Sequence, residues 1–138
     1  MRWITATRPH VDRCSTAWLL RRFVDPAATF EFLAQGGEVP AGATPYDLPG
    51  VKHGHHGNAC TFETVVEQYG LMRDAGLLGL AALVHGLDFH ERKRPESAGL
   101  DAILTGILLS EPDDARVLEK ASVVFEALYA RETSRARR

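Results

Sequence analysis

The segment Cys60-Thr61-Phe62-Glu63-Thr64-Val65-Val66-Glu67-Gln68-Tyr69-Gly70 is where the chain changes character. Ahead of it the apolar residues alternate or are broken by glycine and proline. Beyond it they recur at helical spacing. Thr61 reads as the opening of a helix, with Glu63 one position early for a capping box. Val65, Val66 and Tyr69 supply an apolar face, and Gly70 ends it. Three more helices follow: one from about Asp74 to Phe89, one after Pro95, and one opened by Pro112-Asp113. The last carries Val117, Leu118, Ala121, Val124, Phe125, Leu128 and Tyr129 on a single stripe.

Working back from Cys60, residues 34–60 hold most of the chain's turn chemistry. Short strands are expected at Tyr46–Leu48 and Val51–His53, joined by Pro49-Gly50, the type II turn pair. Thr29-Phe30-Glu31-Phe32-Leu33 alternates like a strand, and Arg2-Trp3-Ile4-Thr5 has strand composition. Between them Asp12 reads as an N-cap for a helix over Arg13 to Val24, stopped by Asp25-Pro26. The expected fold is α+β: a small sheet from the N-terminal half packed against a mostly helical C-terminal half, forming one domain over residues 1–138.

Composition sets the outer limits. The 138 residues are 45% hydrophobic and 25% charged, an ordinary globular balance, and no apolar run approaches membrane-spanning length. A membrane role is not expected. Two cysteines, Cys14 and Cys60, allow one bridge at most and suit reduced thiols. No signal-peptide pattern opens the sequence, so a cytoplasmic protein is expected. The net charge of −2 argues against nucleic acid as a partner, and the basic tail RETSRARR reads as a solvated terminus.

Chemistry concentrates between residues 53 and 90, where five of the six histidines lie. Imidazole and carboxylate together suit Fe, Mn or Zn as one divalent metal ion. The arrangement drawn from spacing places His55, Glu63, His85 and Asp88 around the ion, since His85 and Asp88 are i and i+3 on a helix. His53, His56, Cys60 and His90 stand in reserve or behind the ligands. The spacing is not that of a strict metal motif, and a solvated loop with a core histidine bonded to Asp88 explains it equally well. Arg13, Arg21 and Arg22, with Arg8 nearby, form a cationic group able to hold an oxyanion or to pair with carboxylates such as Asp12 and Asp47. Ion pairing is the favoured role of that group.

Several segments then resemble a known family. They are Arg8-Pro9-His10-Val11-Asp12-Arg13, Trp18 to Pro26, Pro45-Tyr46-Asp47-Leu48-Pro49-Gly50-Val51 and His55 through Cys60-Thr61-Phe62-Glu63. Val84-His85-Gly86-Leu87-Asp88, Pro95 to Leu100, Asp113-Asp114 and Ala127-Leu128-Tyr129-Ala130 continue the match. Together they resemble the chromate-resistance family, in its ChrB C-terminal domain, here standing alone. The resemblance implies a metal-binding accessory protein of chromate and oxidative stress resistance, with metal-dependent redox activity of the superoxide-dismutase type as one expression of it. The other implied role is a chromate- or oxyanion-sensing module without catalysis. The recurring ligand residues of the family map onto His55, Glu63, His85 and Asp88.

Overall fold

The computed structural model describes residues 1–91 and 94–138. Three short strands, β1 (Arg2–Ala6), β2 (Thr29–Leu33) and β3 (Ala43–Pro45), form one parallel sheet in the order β2-β1-β3. Trp3 faces Phe30 on one side and Thr44 on the other. A parallel pair cannot be joined by a tight turn, so the chain crosses over between β1 and β2 through α1 (Val11–Leu19) and a π-helical turn, Leu20–Val24. The central strand is covered on both faces: Trp3, Ile4 and Thr5 are all buried.

Four helices follow: α2 (Thr61–Gln68), α3 (Ala75–Asp88), α4 (Glu96–Ser110) and α5 (Asp114–Ala136). The apolar α3 is packed by α1, α2, α4 and α5, which is where a helix apolar on nearly every side belongs. Close approach to α5 is possible because Gly79 has no side chain; a Cβ there would stand 2.5 Å from Glu132 Oε1. This α+β arrangement, a small sheet in the N-terminal half and helices dominating the C-terminal half, is the expected one. No helix among the described residues is long and apolar enough to cross a membrane.

Four local expectations are corrected. Asp12 does not cap α1, which begins two residues earlier than expected, at Val11, with His10 at the cap position; Asp12 is drawn inward by backbone N–H groups of α2. The first helix does not run regularly to Val24. Asp25 N–H reaches Leu20 O at 2.6 Å, a wider turn that lets Asp25 accept from the N-terminal ammonium and from Trp3 Nε1. The strand pair expected at 46–48 and 51–53 is a single Tyr46–His53 bridge, and the strand lies earlier, at β3. Its turn is nevertheless present: Val51 N–H bonds Leu48 O at 3.4 Å, with Gly50 at φ +75°. The α2 capping box also moves by one residue. Cys60 is the cap, so Glu63 falls at the third helical position and accepts from Cys60 N–H at 3.1 Å.

Candidate metal centre

Asp12 is the most deeply placed acid of the site, its side chain 3% exposed. Helix α2 leaves its first N–H groups without intrahelical partners. Asp12 accepts two of them, Thr61 N–H on Oδ2 and Phe62 N–H on Oδ1, each at 2.9 Å. These bonds favour the charged form, yet burial and the neighbouring charges of Asp47 and Asp88 outweigh them, pushing the carboxyl up to about 6.

Asp47 approaches from the loop after β3, with φ +51°, a conformation that aspartate tolerates better than most residues. Its Oδ1 accepts from Thr61 Oγ1 at 2.7 Å, while Oδ2 lies 3.4 Å from Arg13 Nε. Asp88 comes from the last turn of α3. Burial raises its carboxyl above the ordinary range, against the opposing pull of His55.

His55 sits where the three acids converge. Its Nε2 is 3.0 Å from Asp12 Oδ2, 3.0 Å from Asp88 Oδ2 and 3.6 Å from Asp47 Oδ1. One N–H can point at only one of them. Its hydrogen bond is to Asp12, leaving Asp88 Oδ2 buried without one. A buried orphan carboxylate oxygen costs about 1–3 kcal/mol or more, and native structures rarely leave one without a compensating partner. Ligand atoms of Asp12, His55 and Asp88 lie within 4.8 Å of one another, which fits a single cation.

Glu63 and His85 form a separate group with Cys60. Glu63 Oε1 accepts from His85 Nδ1 at 2.6 Å, and His85 Nε2 lies 3.1 Å from Glu91 Oε2. With carboxylates at both ring nitrogens, the His85 pKa is raised, the Glu63 hydrogen bond being the first cause. Burial pushes the Cys60 thiol well above its usual range. The Phe89 ring lies beside both groups, 5.4 Å from the His55 ring and 4.5 Å from the His85 ring. The four ligands drawn from the sequence are therefore placed as two pairs, His55 with Asp88 and Glu63 with His85.

The remaining candidates have other partners. His53 is buried edge-on to Trp3 and stacked on Tyr69, and desolvation lowers its pKa. His56 bonds Lys52 O at 2.8 Å. His90 follows α3 with φ +56°. The arginines are held apart: Arg13 by Asp47, Arg21 by Ala28 O and the Phe30 ring, Arg22 by Glu126. Arg8 clamps the α4–α5 corner through Leu108 O, Glu111 O and Asp114.

Sequence alone points to Asp12 as a helix cap and to Asp12 and Asp47 as partners of arginine rather than as site residues. The Asp47–Arg13 pairing was legible; its adjacency to His55 was not.

Comparison with known proteins decides the family. The model of the ChrB C-terminal domain matches residues 3–132, nearly the whole chain. The chain belongs to the ChrB C-terminal-domain family. Protein ChrB of Cupriavidus metallidurans is 36% identical over 135 residues, covering 96% of this chain. The chain spans 42% of the length of that ChrB protein. No solved structure matches this chain. In this ChrB-type domain, Asp12, Asp47, His55 and Asp88 all fall inside the matched span, as do Cys60, Glu63 and His85.

Proposed function

We propose that this ChrB-type domain is a metal-binding accessory module of chromate resistance, holding one divalent cation on Asp12, His55 and Asp88, with Asp47 beside them. The observation that carries the reading is the orphaned Asp88 Oδ2, buried 3.0 Å from an imidazole nitrogen whose hydrogen bond goes to Asp12. A cation satisfies that oxygen and relieves the repulsion from Asp47 and Asp88 that, after burial, raises Asp12. Family membership supports the chromate-resistance context, and the chemistry of the donors supports the ion.

Bound there, the cation supplies Lewis acidity and charge neutralisation. The chain's own residues do the rest. Thr61 and Phe62 N–H groups fix Asp12, Thr61 Oγ1 and Arg13 fix Asp47, and His55 provides the imidazole nitrogen. Among the described residues His55 is the one imidazole of this group. A superoxide-dismutase-like centre needs several, so the oxygen-rich donor set favours a hard or borderline cation and an accessory role over redox turnover.

Untagged protein analysed for bound iron, manganese and zinc by mass spectrometry tests the reading. Near-stoichiometric metal is expected, lost from Asp88→Asn and retained by Glu63→Gln. Metal retained by Asp88→Asn and lost from Glu63→Gln moves the site to the Cys60–Glu63–His85 group. Protein that refuses all three metals overturns the proposal.

A further inference from the structure

The sheet order β2-β1-β3 places β1 between strands reached in opposite directions, and in such sheets ligands bind beyond the carboxyl ends of the strands. A cavity of about 600 Å³ lies there. This is within the range of small-molecule sites. Its walls are largely apolar: Ala6 at the end of β1, Leu33 at the end of β2, Val39 from the loop that follows, and Leu48, Pro49 and Val51 around the turn after β3. Thr7 and Gln35 add neutral hydrogen-bonding groups, and the one charged residue in the lining is Arg13.

Arg13 is also shared with a second hollow of about 250 Å³, whose other walls include Asp47 and His55. The guanidinium thus stands between the apolar cavity and the carboxylate cluster. It is incompletely used by the protein. Nη2 donates to Asp47 O at 3.1 Å and the buried Nε faces Asp47 Oδ2 at 3.4 Å, so Asp47 takes that edge of the guanidinium, while Nη1 makes no hydrogen bond among the described residues. A guanidinium with one terminal nitrogen still unpartnered can take up a carboxylate or similar anion.

We infer that this cavity binds a small organic monoanion, its apolar body against Leu33, Val39, Leu48 and Val51 and its acidic group on Arg13, beside the cation. The inference deepens the proposed metal site and rests on it in one respect. Asp12, Asp47 and Asp88 repel an anion at short range, and a divalent cation among them reverses that field. Anion and metal binding are then mutually favourable by the same factor.

Titrating 3-phenylpropionate into ¹⁵N-labelled full-length chain, followed by amide shifts, tests this. The amides of Thr7, Gly36, Gly37 and Val51 are expected to move, with binding at least tenfold tighter in Zn²⁺ than in chelator. The neutral amide 3-phenylpropanamide is expected to bind at least tenfold more weakly, and Arg13→Gln to erase that preference. Val39→Trp, a change at a loop residue 40% exposed, is expected to fill the cavity and abolish both. Equal binding of acid and amide overturns the assignment of Arg13. Absence of shifts at these amides at millimolar probe overturns the site altogether. Binding that is anion-selective and Val39-sensitive but indifferent to Zn²⁺ upholds the cavity while removing its link to the metal.

Discussion

Asp12 caps a helix to which it does not belong: from the first turn of α1 it accepts the Phe62 N–H of α2 at 2.9 Å on Oδ1, and the Thr61 N–H on Oδ2. The same carboxylate therefore joins α1 to α2 and forms one side of the candidate metal centre. Asp12→Ala leaves two buried donors unpaired, while also removing a repelled charge. The expected net loss is about 2 kcal/mol, read as a fall of several degrees in the thermal midpoint of metal-free protein. Asp12→Asn, which keeps one acceptor, is expected to lose less.

Asp88 is expected to behave in the opposite way. Its buried Oδ2 has no hydrogen bond and burial outweighs the pull of His55, so Asp88→Asn removes a desolvated charge at little structural cost. Metal-free Asp88→Asn protein is expected to melt higher than wild type. Added Zn²⁺ or Mn²⁺ at about 100 times the dissociation constant stabilises wild type by about 2.7 kcal/mol and leaves the variant unmoved. Calorimetry with and without metal reads both signs; a variant less stable in both conditions refutes the orphan-charge account.

The thiols are expected to be silent. Cys14 and Cys60 are free and buried, and burial pushes Cys14 up to about 12 and Cys60 higher still. Thiolate is the reactive form. Neither cysteine of the native protein is expected to react with a disulfide reagent at pH 8 on a timescale of minutes, whereas both react after unfolding in guanidinium. A rapid native equivalent contradicts this burial.

Acid is expected to dissolve a second polar network. Arg94 Nη1 and Nη2 grip Glu132 at 2.5 and 3.0 Å, and Glu96 accepts from Arg94, Arg131 and Arg135. The Arg94 hydrogen bond holds Glu132 below the ordinary glutamate range; its own backbone N–H, then Arg94, holds Glu96 there too. Both folded pKa values are depressed, so the unfolded chain binds more protons in this window. The stabilisation is present above the unfolded value of about 4.3 and lost as pH falls through the folded values. Glu132→Gln is expected to cost about 1–2 kcal/mol at pH 7 and progressively less as pH falls below about 4.3, as thermal melts of the two proteins across that range will show.

What could be read from the sequence was local. Hydrophobic spacing located α2 through α5 within a residue or two, because side chains three and four apart share a helix face whatever lies elsewhere. Pro49-Gly50 announced its turn for the same reason, since only glycine takes φ +75° without strain. His55 and Asp88 stood out as residues with chemistry to offer. Which acids meet which imidazole was decided by tertiary structure alone. Asp12 reaches Thr61 and Phe62 because α1 packs on α2. Asp47 turns toward His55 because its backbone takes the left-handed conformation. Phe89, beside both imidazoles, shows how near the two ligand pairs lie without sharing one centre. Periodicity records which face of an element is apolar; it carries no term for the distance between two loops, and on that distance the site depends.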